Sequence, residues 1–157
     1  MPLLPSILSR SLQADWLVPE GGDHPGDVAA SARALAGAIA DWFAGAMAAG
    51  VPCTTAAARK GQLQAMLIPA LQAGAASAAG QGVAMAFMAY AAGQSFGPGV
   101  ASPPAATGAA AAALGAAFAD LQAPLATRAD RIAGAIHLAA VSSIVTFPPP
   151  MAPAPVT

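Results

Sequence analysis

Glu20, Asp23, His24 and Asp27 form the one dense group of ligand-type side chains in this chain of 157 residues. Three carboxylates and an imidazole so close together offer donors to a divalent cation, and Gly21, Gly22 and Gly26 leave the segment free to wrap it. The spacing matches no EF-hand or other fixed ligand pattern, and Pro25 restricts the loop. A solvated turn ending in a helix cap accounts for the same residues, because the Asp27 carboxylate is placed to accept first-turn amides and to face the positive end of the helix dipole. No metal or other cofactor is therefore expected.

A second chemistry would draw on His137 and Cys53. His137 lies between Ile136 and Leu138 on an apolar helix, where a histidine serves the core or an interface. Cys53 stands near a predicted helix start, a place where thiols can become nucleophiles, although a buried structural thiol is the default. A single cysteine builds no intramolecular disulfide, and no partner cysteine completes a zinc site. No G-x-S-x-G or cysteine-enzyme signature surrounds a candidate nucleophile, and neither G-x-G-x-x-G nor G-x-x-x-x-G-K-[ST] occurs. Gly93-Gln94-Ser95-Phe96-Gly97 has the form G-x-x-x-G but falls where a helix is ending. Trp16, Trp42 and Phe43 read as core anchors, since no basic residues interleave with them as in a base-stacking platform. No catalytic residue is assigned, and an enzyme is not expected.

The elements that would position these residues are built from very small side chains. The chain has 47 alanines and 16 glycines. Charged residues make up 8% and the net charge is −1, which leaves no electrostatic footprint for nucleic acid or an anionic membrane surface. Residues 1–8 carry two prolines and no basic stretch, against a secretory signal. Mean hydropathy is +0.61, and residues 61–119 contain no charge. The most membrane-like window, 73–92, is mostly Ala, Gly, Ser and Gln, so burial among other helices is the better explanation than insertion.

Proline and glycine divide the chain into helical pieces. The first is expected over about 5–17. The second, over about 28–49, carries Val28, Ala32, Leu35, Ile39, Trp42 and Ala46 at spacings of three or four, and Gly50 and Pro52 stop it. The third is capped by Thr54 or Thr55 and carries Leu63, Met66, Leu67 and Leu71, with Pro69 kinking or interrupting it; a small-residue helix continues over 70–92. Ser102-Pro103-Pro104 is a cap-and-proline start for a helix over 105–121. Thr127 to Asp130 has the capping-box spacing and opens a last helix over about 128–140. Residues 141–147 are rich in β-branched side chains and read as a short strand or a frayed helix end. The proline run that follows suits an extended polyproline arm.

Sliding the chain by 79 residues superposes residues 34–41 on 113–120, and a slide of 72 brings Thr55, Ala57 and Arg59 onto Thr127, Ala129 and Arg131. Two related three-helix halves, 5–68 and 69–147, would explain both, though an alanine-rich chain matches itself cheaply. The expected fold is all-α: one domain over 1–147 of five or six short helices, with residues 148–157 as a proline-rich tail.

Leu3-Leu4-Pro5-Ser6-Ile7-Leu8, Ala40-Asp41-Trp42-Phe43-Ala44-Gly45-Ala46-Met47, Gly115-Ala116-Ala117-Phe118-Ala119-Asp120-Leu121 and the stretch from Ile144 through the prolines to Pro155 together resemble small helical structural proteins of tailed-bacteriophage virions. The resemblance is one of style over most of the chain and carries over no functional residue. It implies a non-enzymatic subunit of the head, neck, tail or baseplate, assembled in the host cytoplasm and packed on copies of itself and on other virion proteins. Low charge, thin helices and an extended arm agree in kind with a homo-oligomer. Ile144, Val145 and Phe147 would anchor that arm on a neighbour, with Pro148, Pro149 and Pro150 as a preordered strap. A small-residue helical membrane protein, and a small enzyme or metal-binding module using the 20–27 loop, are the rival readings.

Overall fold

A computed structural model describes residues 3–19, 22–23 and 26–157. The helices are α1 (Pro5–Asp15), α2 (Val28–Phe43), α3 (Lys60–Leu71), α4 (Ala76–Ala91), α5 (Thr107–Ala119) and α6 (Leu125–Val141). Six short strands interleave with them: β1 (Met47–Ala48), β2 (Val51–Pro52), β3 (Ser95–Phe96), β4 (Gly99–Ala101), β5 (Ile144–Thr146) and β6 (Ala154–Pro155). The protein is thus mostly helical with two small antiparallel sheets, β1-β2 and β3-β4-β5-β6, and not the purely all-α bundle expected.

The strands explain where the helices stop. α2 ends at Phe43 instead of continuing to 49, because Met47 and Ala48 pair with Pro52 and Val51 across a turn at Ala49 and Gly50. Both turn residues have positive φ, 49° and 80°, the left-handed pair that suits a tight two-residue hairpin. Gly97, with φ 56°, holds the corresponding place between β3 and β4. Ser102 does not open α5. Its N–H donates to the Ile144 carbonyl (2.8 Å) and its hydroxyl accepts from the Ile144 N–H (3.1 Å), extending the β4–β5 pairing. Pro124, with no side-chain cap, precedes α6 where Thr127 was expected to start it. Asp27 does cap α2, accepting from the Ala30 N–H at 2.6 Å.

Helix, helix, hairpin occurs three times in chain order: α1-α2-β1-β2, α3-α4-β3-β4 and α5-α6-β5-β6. The repeat extends to single positions. Ala32, Leu35, Ala36 and Ile39 of α2 recur 48 residues later as Gly80, Val83, Ala84 and Phe87 of α4, and 49 further on as Ala129, Ile132, Ala133 and Ile136 of α6, all buried. After each of these helices one backbone bond closes the hairpin neck: Cys53 N–H to Ala46 carbonyl, Ala101 to Gln94, and Val156 to Ser143. The helices pack in a closed ring in which each touches the next and α6 returns to α1. This threefold order replaces the two halves at 5–68 and 69–147. The 79-residue slide matched α2 to α5, the second helix of one unit to the first helix of another, through alanine content alone.

The strands close a ring as well. Cys53 bridges Phe96, and the equivalent pair Ala101 and Val145 joins β4 to β5. The last joint is between Met47 and Thr157, whose N–H groups donate to each other's carbonyls at 2.9 and 2.8 Å. Small residues allow the helices to meet at the backbone. A Cβ on Gly80 would collide with the Leu114 carbonyl, coming within 2.6 Å of its carbon. Larger side chains collect where α2 meets α4. Phe43 lies edge-on to Phe87, Tyr90 and Phe96 at centroid distances of 5.9, 5.8 and 6.5 Å.

Candidate functional site

The densest buried polar group among the described residues lies where the first hairpin meets the second. Gln94 lies three residues past the end of α4 and is fully buried. Its amide nitrogen donates to the Tyr90 carbonyl (3.0 Å), and its oxygen accepts from the Thr55 hydroxyl (2.6 Å) and, more weakly, from the Cys53 thiol (3.7 Å). The Thr55 oxygen in turn accepts from the Ser95 N–H at 2.9 Å. Tyr90, also fully buried, donates to the Ala56 carbonyl at 2.9 Å. Arg59 donates to the Ala92 and Ala89 carbonyls at 2.7 and 3.3 Å, where a cation satisfies the free carbonyls at the end of α4. Burial pushes the Tyr90 hydroxyl well above its ordinary pKa of 10.0, with the nearby Cys53 adding to the rise and Arg59 opposing it. These donors and acceptors are spent on one another and on backbone, so the cluster is a joint between two hairpins.

The candidates for chemistry are dispersed. Glu20 and His24 lie outside the described residues, and Asp27 is occupied as the α2 cap. No group of three or more metal-ligand side chains forms among the described residues. Cys53 is buried beside Gln94, whereas half-buried His137 faces Trp42 at a centroid distance of 6.4 Å, and no hydrogen bond joins the two. Gly93 and Gly97, with φ of 77° and 56°, shape the turn after α4. Trp42 is 5% exposed and donates to the Leu4 carbonyl (3.0 Å); Trp16 donates to the Ser31 hydroxyl (2.9 Å) and lies 5.8 Å from the Phe118 ring.

The residues assigned to anchor the arm divide. Val145 (0%) and Phe147 (5%) are core side chains of this chain, Phe147 packing over Gly99, while Ile144 (42%), Pro148, Pro149 and Pro150 are exposed. The proline run folds back instead of projecting. Ala154 and Pro155 pair with Val145 and Ile144, and Val156 has no exposure at all. The extended polyproline backbone expected of the run is not found at 148–151, which forms a turn with the Met151 N–H donating to the Pro148 carbonyl (3.2 Å). Only Ala154 and Pro155 are extended, and their strand continues to Thr157 beside Met47, a main-chain partner 110 residues away that leaves no local signal.

A surface property emerges only from the assembled ring. The three hairpin segments, 44–58, 92–106 and 142–157, contain no Asp, Glu, Lys, Arg or His. The antiparallel ring gathers them together, with Val100 (51%) and Ile144 (42%) exposed on its strands and Met151 (39%) on the β5–β6 connector. Every charged residue belongs to the helices or to their other connections. Clefts elsewhere are shallow in chemistry. One of about 490 Å³ is lined by Val18, Leu121, Gln122, Leu125 and Arg128, and one of about 360 Å³ by Met66, Pro69, Gly82 and Met85. No helix among the described residues is long and apolar enough to cross a membrane. Neither a protein family, a curated protein nor a solved structure matches the chain.

The 48-residue recurrence of Ala44-Gly45 at Ala92-Gly93 was the available sign of both the hairpin joint and the uncharged rim. In a chain so rich in these two residues, it stands out only once the hydrogen bonds on either side are known.

Proposed function

We propose that the protein is a non-enzymatic structural subunit that docks through its uncharged hairpin rim onto neighbours in a larger assembly, and that this assembly is the virion of a tailed phage. The observation that carries the reading is the segregation of charge: a rim with no Asp, Glu, Lys, Arg or His, bearing exposed Val100 and Ile144, on a chain whose charges all lie in the helices and their other connections. Contiguous exposed apolar surface is costly to leave in water and marks an interaction site, and the core of an interface is depleted of charge. The virion part rests on the sequence resemblance.

The experiment is quantitative mass spectrometry of purified particles of the phage that encodes the chain. The wild-type protein is expected in many copies per particle, and Val100→Asp with Ile144→Asp is expected to remove it while leaving the helical circular dichroism unchanged. Absence of the wild-type chain from particles, or full incorporation of the double variant, overturns the reading.

A further inference from the structure

Strands β1 to β5 are each tied directly to a helix or to a two-residue turn, so none can leave the ring without dragging a helix or its hairpin partner. β6 is different. It hangs from β5 on residues 147–153, a connector holding Pro148, Pro149, Pro150 and Pro153. Its hold on the ring includes pairing of Ala154 and Pro155 with β5, the Val156 N–H to the Ser143 carbonyl (3.1 Å), the reciprocal Met47–Thr157 bonds, the Thr157 hydroxyl donating to the Met47 carbonyl (3.2 Å), and the Val156 side chain in the core. Withdrawn, it leaves a slot between β5 and β1, with the backbone groups of β5 and the Ser143 carbonyl without their β6 partners and an apolar hole sized for valine. Such open edges recruit strands.

We propose that β6 exchanges between copies of this chain: residues 154–157 of one copy fill the slot between β5 and β1 of a second, with 147–153 as the bridge. The proposal rests on the reading of the protein as an assembly subunit and names its partner as a second copy. The slot is addressed to this sequence, since it requires a Pro-Val-Thr register with Val156 inward and Thr157 opposite Met47. The exchanged contacts are the same as the internal ones, so the balance turns on concentration alone. Fold-back over a short connector has an effective concentration in the millimolar range, which keeps dilute chains closed and favours exchange where copies are crowded. With its turn at 148–151 drawn out, the connector beyond buried Phe147 would span roughly 20 Å in extended geometry.

The test uses full-length chains with Cys53→Ala, a change that copies the equivalent Ala101. One chain carries Met47→Cys and the other Thr157→Cys, positions paired directly across antiparallel strands and so within disulfide reach. Mixed, refolded and oxidised, they are expected to give a disulfide-linked heterodimer. On non-reducing gels it rises from undetectable at about 10 μM to a major band near 1 mM, following the effective concentration. A chain with both cysteines reports folding by forming the internal disulfide when dilute. A heterodimer yield no higher than that from Met47→Cys with a control cysteine at exposed Ala112 overturns the exchange. Val100→Asp in both partners separates the two ideas, because it disables the rim and leaves the slot intact. If the variant is still incorporated into particles while cross-linking persists, only the rim reading is lost; if incorporation fails while cross-linking stays at the control level, only the exchange is lost.

Discussion

The joint between the first and second hairpins and the joint between the third and the first occupy equivalent places in the ring, yet they are held by different means. At the first, the Cys53–Phe96 bridge is backed by Phe43 and its ring of aromatic neighbours, by Gln94 with every hydrogen-bonding group used, and by Arg59 on the carbonyls of α4. At the closing joint, the position of Phe43 is taken by Ala140 and that of Gln94 by Ala46, which has no hydrogen-bonding side chain. What remains there is backbone pairing and one valine. A repeated topology therefore does not imply repeated stability: the first joint is cemented by side chains, and the closing joint by main-chain pairing and a single buried valine.

The largest expected effect comes from removing the cement. Phe43→Ala deletes the ring that four aromatic neighbours pack against and should cost about 3–5 kcal/mol, read from urea denaturation. If the cost is under about 1 kcal/mol, the first joint is no stronger than the last. Val156→Ala, at the closing joint, removes two buried methyl groups and should cost roughly 2 kcal/mol. It should also loosen β6 selectively, so amide exchange should speed up at Met47 and Thr157 while the amides of Ala101 and Ser95 stay protected. Equal acceleration at both joints would show that they open together.

The smallest effect at neutral pH is that of Tyr90→Phe, about 1–2 kcal/mol, because the buried Ala56 carbonyl loses its donor. Its pH dependence is more telling. The folded chain keeps the Tyr90 proton above pH 10.0, where the unfolded chain releases it. The unfolded state then binds fewer protons, so the contribution of Tyr90 is complete below pH 10 and falls by about 1 kcal/mol per pH unit above it. Tyr90→Phe should flatten that alkaline slope in denaturation curves recorded between pH 9 and 11. A slope that survives the substitution would mean that the first joint does not bury an un-ionised phenol.

The helices were legible in the sequence to different degrees. α2 could be read with its cap and its stripe, since Asp27, Leu35, Ile39 and Trp42 act over a turn or two of chain. Its end could not, because Met47–Ala48 and Val51–Pro52 are two-residue strands too short to show an alternating pattern. α4 and α5 were placed only approximately. In their alanine-rich sequences the hydrophobic side is set by which backbone comes near, as at Gly80 against Leu114, and not by a stripe of large residues. Tyr90, Gln94 and Arg59 gave no warning of their joint role, since they come together only when α4 lies beside the residues that follow the first hairpin.

By itself, the sequence determined that this would be a chain of closely packed thin helices: alanine costs no side-chain entropy in a helix, and its single methyl keeps no neighbour at a distance. It determined the scarcity of charge and the Asp27 cap. Only the tertiary structure decided that the helices form three units and not two, that the uncharged segments gather in one ring, and that the tail is the sixth strand closing it. Those outcomes rest on main-chain pairing between residues as far apart as Met47 and Thr157, and the backbone groups that make such bonds are the same at every residue but proline.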